Sequence, residues 1–367
     1  MEGSVEYMKL AFRAARRGAG KTSPNPMVGA AIVRDGRVLG SGWHRGCGGL
    51  HAEAEAVRAA RAAGEATAGA DLYCTLEPCC WSGPDKKQPP CTGLIVECGI
   101  RRVFVANLDP HPKVSGRGVE ALRAAGIAVE AGLRADEGEE LNRGFFAYQR
   151  TGLPFVHVKI AQTLDGRIAA ESGDARWITD ERARREVHRL RAFYDAVLVG
   201  RGTILADDPE LTVRLVRGRN PFRAVLDSRL SLPDSARVLN DGGRDKTILL
   251  CAADACGERI QALRLRGVRV MPVEGGLREA LAALGGLGIR SVLVEGGSRV
   301  FSSFVREGLW DRLSVFVAPV VLGGGVGAVS GFSPQRVADG MRLKDVRIRR
   351  LGDQAVIEGE RDVYGHS

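Results

Sequence analysis

No stretch of this chain approaches about 18 consecutive uncharged apolar residues, which excludes a membrane-spanning helix. The start, Met1-Glu2-Gly3-Ser4, supplies no basic segment ahead of an apolar run, so no secretory signal is expected and a cytoplasmic enzyme is. Internal repeats, low-complexity segments and Lys/Arg-rich tails are all missing. The formal charge of +9 is therefore spread thinly. It suits phosphorylated small molecules, and nucleic-acid binding is not expected. Cysteine is sparse beyond residue 100: Cys47, Cys74, Cys79, Cys80, Cys91 and Cys98 all precede it, and only Cys251 and Cys256 follow. In a cytoplasmic chain such clustering favours a metal over disulfides.

What is present is ordinary globular material, 44% hydrophobic and 26% charged, in 367 residues, enough for two cores. Val5, Met8, Ala11, Phe12 and Ala15 recur at helical spacing. Ser23-Pro24-Asn25-Pro26 must be a loop. Val28–Val33 and Arg37–Gly40 flank Asp35-Gly36, a hairpin signal. A helix is expected near His51, strands at Asp71–Leu76, Val103–Ala106 and Ile127–Glu130, and a helix at Val119–Ala125. The pattern is α/β/α with a parallel sheet. Gly152 and Pro154 punctuate the stretch Phe146–Pro154, and the domains are placed at 1–147 and 148–367. The second domain alternates strand-like Phe155–Ile160, Ala196–Val199, Ala224–Leu226, Thr247–Cys251, Val268–Met271, Ser291–Val294 and Leu313–Val317 with helix-like Glu181–Arg191 and Ser298–Glu307.

Three short motifs carry chemistry in the first domain: His51-Ala52-Glu53, Thr75-Leu76-Glu77-Pro78-Cys79 and Pro89-Pro90-Cys91. Imidazole and thiolate are zinc's preferred ligands, and three of them leave a fourth position for water. A Glu two residues after the His suits a proton shuttle. Helices opening at His51 and Cys79 would point their dipoles at the metal. Cys79 and Cys91 are too far apart for a C-x-x-C pair. Cys80 is a competing ligand, and Cys74 reads as core.

These motifs, with Pro24-Asn25-Pro26-Met27-Val28-Gly29 and Gly40-Ser41-Gly42-Trp43-His44, resemble the deaminase half of the bifunctional riboflavin-biosynthesis deaminase/reductases, the RibD/RibG family. Asp109–Gly116 is similar to a family loop. The resemblance implies one zinc held by His51, Cys79 and Cys91, with Glu53 as the catalytic proton carrier. It also implies substrate contacts from Asn25, His44 and Lys87. Where the family has Ser-His after Glu-Pro-Cys, this chain has Cys80-Trp81, and three extra residues separate Cys79 from Cys91. The basic family position then falls on Lys86 or Lys87.

In the second domain, Glu295-Gly296-Gly297-Ser298 reads as a phosphate cradle at a helix start or as a tight turn. Gly323–Ala328 contains G-x-G-x-x-A but lacks the strand–helix context of a dinucleotide fingerprint. Asp207-Asp208 before Pro209 is either a carboxylate site or a polar turn. Arg182, Arg184, Arg185, Arg189 and Arg191 read as a solvated helical face with one or two members free for phosphate. Residues 154–360 resemble the reductase half of the same family, related in fold to dihydrofolate reductase, through T-L-D-G, W-I-T, H-R-L-R, G-T-x-L-A-D-D-P-x-L-T-V-R, L-D-S and V-E-G-G.

That resemblance implies NADPH at Ala161, Trp177, Thr203, Asp207, Ser228 and the turn from Gly297, and substrate at Arg191, Leu211, Arg214 and Glu295. Ala175 stands where the family has Ser. The fold class implied is α/β, a cytidine-deaminase-like α/β/α domain followed by a dihydrofolate-reductase-like α/β domain. The implied activity is deamination of 2,5-diamino-6-ribosylamino-4(3H)-pyrimidinone 5′-phosphate, then NADPH-dependent reduction of its ribosyl group to ribityl. A small-molecule phosphoribosyl pyrimidine partner and a homo-oligomer are expected. Two rivals remain: a nucleobase or tRNA deaminase with a non-catalytic C-terminal binding module, and a zinc-stabilised regulator without turnover, which the presence of Glu53 disfavours.

Overall fold

A computed structural model describes residues 2–82, 88–111 and 114–362. The chain divides into two compact units, Met1–Gly152 and Leu153–Ser367. The division falls later than position 147, which lies inside a helix that Gly152 ends in the left-handed conformation. No helix among the described residues is long and apolar enough to cross a membrane.

In the first unit α1 (Glu2–Arg16) precedes β1 (Gly29–Arg34), β2 (Arg37–Trp43), α2 (Ala52–Ala62), β3 (Asp71–Leu76), α3 (Cys91–Glu97), β4 (Arg102–Asn107), α4 (Arg117–Ala124), β5 (Ala128–Ala131), α5 (Ala135–Leu141) and α6 (Arg143–Thr151). The sheet order is β2-β1-β3-β4-β5. The β1–β2 hairpin turns on Asp35 and Gly36, both at positive φ, as a two-residue hairpin loop requires. β1 runs antiparallel to β3, and β3, β4 and β5 are parallel. Every residue of β3 is buried, because helices cover both sheet faces. Met8, Ala11, Phe12 and Ala15 of α1 fill one face, and Ala52, Ala56, Val57 and Ala60 of α2 with Ile95 and Leu122 fill the other. The expected α/β/α layering is observed. One expectation fails: no helix opens at Cys79, which lies in an irregular segment after β3, and α3 opens at Cys91 instead.

The second unit contains β6 (Phe155–Thr163), β7 (Arg167–Ala169), α7 (Glu181–Phe193), β8 (Ala196–Gly200), α8 (Arg201–Asp207), β9 (Phe222–Leu226), β10 (Thr247–Ala252), α9 (Gly257–Leu265), β11 (Arg269–Val273), α10 (Leu277–Gly286), β12 (Ser291–Val294), α11 (Ser298–Glu307), β13 (Arg312–Ala318), β14 (Val326–Gly327), β15 (Leu343–Leu351) and β16 (Gln354–Arg361). Nine strands form one sheet, β11-β10-β9-β8-β12-β6-β13-β16-β15. The first seven are parallel, and β16 and β15 close the edge antiparallel. The G-x-G-x-x-A segment forms only the short strand β14 paired with β7, and no helix follows it.

α2 reaches its place because β2 is stripped of side chains beneath it. A Cβ on Gly42 would sit 2.6 Å from the backbone carbon of Glu55, and one on Gly40 would sit 2.7 Å from the nitrogen of Ala60. Gly42→Ala must therefore push α2 off the sheet. It should lower stability by about 1–3 kcal/mol, the usual cost of overpacking. Urea denaturation checks this, and an unchanged midpoint would show that the helix does not need the close approach.

Candidate active sites

In the first unit, His51 is the N-cap of α2, extended at φ −72° and ψ 161°, so its ring leaves the helix start instead of capping it. Cys91 is the first residue of α3, and Cys79 follows Glu77-Pro78 at the end of β3. His51 Nδ1 lies 3.5 Å from Cys79 Sγ and 3.3 Å from Cys91 Sγ, and the three donor atoms fall within 4.8 Å of one another. Sulfur and imidazole ligands of a tetrahedral zinc lie about 3.6 Å apart, so the set fits that ion. The Cys91 backbone N–H points at Cys79 Sγ from 3.4 Å, a donor at a helix start that favours thiolate. Cys79 hydrogen bonding and burial push the Cys91 thiol well up. Cys80 is not part of this group among the described residues. Cys74 is fully buried in the core, as expected, beneath Glu53.

Glu53, in the first turn of α2, is 3% exposed. Burial raises its carboxyl pKa, with His51 pulling the other way. His44 sits beside His51, the rings edge-on at 5.7 Å. His44 Nδ1 lies 3.0 Å from the Leu50 carbonyl, which can only accept, so the proton is on Nδ1. Nε2 then accepts from the Asn25 amide at 3.1 Å. Burial lowers the His44 pKa, in keeping with this neutral form. Asn25, His44, His51 and Glu53 are thus brought into one neighbourhood, whereas Lys86 and Lys87 lie outside the described residues.

Sequence reasoning gave no role to Glu77. Its carboxylate accepts backbone N–H groups from Asp109 at 3.1 Å, Gly116 at 2.9 Å and Val119 at 3.1 Å. It thereby ties the backbone at Asp109, Gly116 and Val119 to the segment that carries Cys79. Asp109 is pushed up to about 6 by burial, with Glu77 and Cys79 adding to the rise. The only signal available was Glu77's place in T-L-E-P-C.

The second unit holds a cavity of about 760 Å³ at the carboxyl ends of β6, β8 and β12. Ala161, Trp177, Thr203, Asp207 and Gly297 line it, as do Arg191, Leu211, Arg214 and Glu295. Ser228 does not; it is exposed after β9. Ala175, which stands where the family has Ser, lines the wall.

Glu295 receives two parallel N–H bonds from Arg191, at 2.6 and 2.7 Å, with both side chains largely buried. Arg191 also reaches the Thr212 carbonyl at 3.1 Å. Burial raises the Glu295 carboxyl, but Arg191 and then Lys159 outweigh it, and the pKa ends below its usual range. Burial lowers the Lys159 ammonium, opposed by Glu295. Lys159 begins K-I-A-Q-T-L-D-G and was passed over in favour of Ala161.

The two arginines implied for substrate therefore differ. Arg191 has its fork occupied by Glu295, while Arg214 is half-exposed and held by the Glu210 and Thr212 side chains. Asp207 and Asp208 both line the cavity. Asp208 is also the left-handed C-cap of α8 and accepts the Arg237 N–H at 2.8 Å, a turn role. The Asp207 carbonyl takes a hydrogen bond from Arg176. On α7, Arg185 and Arg189 pair with Glu181 and Glu186 in solvent. Arg184 stacks 4.3 Å over Trp177, itself 69% exposed at the mouth.

Comparison with known proteins places both halves. Residues 1–107 match the cytidine and deoxycytidylate deaminase zinc-binding region, and residues 154–357 match the RibD C-terminal domain. The chain is 42% identical over 353 residues to the riboflavin biosynthesis protein RibD of Aquifex aeolicus, covering 96% of each chain. It superposes on Acinetobacter baumannii RibD with a TM-score of 0.89 at 35% identity, covering 98% of this chain and 99% of that one. A diaminohydroxyphosphoribosylaminopyrimidine deaminase/5-amino-6-(5-phosphoribosylamino)uracil reductase from Thermotoga maritima gives 0.87 at 38% identity, over 98% and 99%.

The donor geometry makes a definite demand on metal content. The full chain should carry about one zinc, and Cys79→Ser or Cys91→Ser should each remove most of it, whereas Cys80→Ser should not. Elemental analysis of the three variants decides. Loss of zinc from Cys80→Ser alone would put Cys80 in the ligand set.

Proposed function

The chain belongs to the RibD family of bifunctional riboflavin-biosynthesis enzymes, and from that footing we propose the roles its residues play in the two reactions. The first unit is a cytidine-deaminase-like zinc deaminase, and the second a dihydrofolate-reductase-like, NADPH-dependent reductase. The observation that carries the proposal is the convergence of His51, Cys79 and Cys91 on one point beside the buried Glu53.

In the deaminase, His51, Cys79 and Cys91 hold zinc, which supplies a Lewis acid that brings the pKa of water toward neutrality. Glu53 takes the proton from the attacking water and gives it to the departing amino nitrogen, which leaves as ammonia. Its burial suits both duties, since a carboxyl with a raised pKa gives and takes protons near neutral pH. Asn25 and His44, locked to each other, orient the pyrimidine. Lys87 is the proposed phosphate contact in this half.

In the reductase, the G-G turn and start of α11 with Thr203, Trp177 and Ala161 receive NADPH, and Ser228 extends that surface. Asp207, in the same cavity wall, would contact NADPH. Arg214 and Leu211 hold the phosphoribosyl chain, and Arg191 keeps Glu295 ionised against the sugar. Hydride transfer to C1′ requires positioning above all. Lys159 provides a buried ammonium in the same wall for the accompanying proton.

The rival with a non-catalytic C-terminal module leaves the charged wall of the second cavity without a task. A cytoplasmic setting suits the reduced thiols of the zinc site. A homo-oligomer is also proposed: the edge strand β15 leaves one side unpaired and exposes Val346 and, at 71%, Ile348.

Glu53→Gln should keep zinc yet lose deamination by about 10²–10⁴, the range of general acid–base catalysis, while reduction of pre-deaminated substrate continues. Deamination within about tenfold of wild type would remove Glu53 from the proton path. For the oligomer, light scattering should give a mass above one chain, and Ile348→Lys should reduce it. A monomeric wild type would refute that assignment.

A further inference from the structure

Helix α7 turns a histidine as well as an arginine into the second cavity. His188 lies one position short of a full turn before Arg191, on the same face, and is 6% exposed. Its Nδ1 accepts the backbone N–H of Arg214 at 2.9 Å, and the N–H of Leu215 points at the same atom from 3.5 Å. A ring nitrogen that accepts carries no proton, so the proton of the neutral ring sits on Nε2. No hydrogen bond joins Nε2 to any other described residue, and the ring lines the cavity with Arg184, Arg191, Arg214 and Glu295. Burial pushes the ring pKa down to about 4, with Arg191 and Arg214 adding to the fall and Glu295 opposing it.

The surrounding donors explain why this N–H matters. Arg191 is committed to Glu295 and the Thr212 carbonyl, and one arm of Arg214 to Glu210 and Thr212. Nε2–H is a donor held rigidly by the partner of the opposite nitrogen. It is tied through Nδ1 to the same backbone that carries Arg214, whose half-exposed guanidinium pairs with Glu210 through one arm.

We propose that His188 is a substrate-binding residue of the reductase half: Nδ1 anchors the main chain of Arg214 and Leu215, and Nε2–H donates to the phosphoryl group of the phosphoribosyl substrate. This rests on the reductase reading above, and binding of ribose 5-phosphate tests it separately from turnover. In the full chain with NADP⁺ bound, calorimetry should show His188→Ala binding ribose 5-phosphate about ten- to hundredfold more weakly than wild type, the size of a lost hydrogen bond to a charged group. His188→Gln, with an amide that accepts at one end and donates at the other, should recover part of the loss. In nitrogen-15 spectra of histidine-labelled protein, the His188 Nε2–H signal should move with ribose 5-phosphate and stay still with ribose. A static signal, or His188→Ala binding as tightly as wild type, would overturn the proposal, even if melting temperature falls. Reduction by wild type alongside that result would leave the reductase reading standing. A wild type that reduces nothing but binds ribose 5-phosphate through His188 would sink the reading and keep this assignment.

Discussion

Each unit of this chain buries a carboxylate in the wall of its site, and the cost of stripping water from that charge organises what surrounds it. The two solutions are opposite. Glu53 is packed among sulfur atoms and the His51 ring, and burial lifts its pKa. Glu295 is gripped by the planar fork of Arg191, with Lys159 behind, and its pKa falls despite burial. The proton shuttle proposed for Glu53 and the lasting charge proposed for Glu295 call for those different neighbourhoods. The buried Arg191 is thus committed to Glu295, and the half-exposed Arg214 pairs with Glu210.

Both neighbourhoods are built at the ends of parallel strands. Glu77 and Cys79 follow β3, and Glu295 follows β12. In open parallel sheets the chain leaves the strand ends toward opposite faces, and the crevice collects loop residues and helix starts. His51 and Cys91 stand at two such starts, and Gly297 at a third. The glycines of β2 let α2 lie against the sheet, so the position of Glu53 is set by side chains that β2 does not have.

The cluster of His51, Cys79 and Cys91 was legible because these residues sit in short motifs whose residue types have few other uses: H-A-E, E-P-C and P-P-C. The layering was legible from strand-like stretches such as Asp71–Leu76 and Ser291–Val294, which the strands reproduce. What stayed hidden depends on distance along the chain. Arg191 and Glu295 are separated by 104 positions, and no periodicity announces their pairing. Glu77 acts on backbone N–H groups, which every residue has. The helix expected at Cys79 failed because α3 starts at the later cysteine, after Pro90. β15 escaped notice because its sequence, L-K-D-V-R-I-R-R-L, is charged and mostly exposed, and edge strands carry little apolar pattern. Motif resemblance placed both Arg191 and Arg214 near substrate, but only the fold separates a buried cation gripping Glu295 from a half-exposed one paired with Glu210.

The central claim is that one chain performs two consecutive reactions at two separate sites. Its most direct test follows ammonia release and NADPH oxidation together in a single experiment on the diamino phosphoribosyl pyrimidine. The account predicts that ammonia appears first and that NADPH is then consumed in equal amount, with ammonia release continuing unchanged when NADPH is withheld. NADPH consumption without prior ammonia release, or ammonia release never followed by reduction, would contradict it.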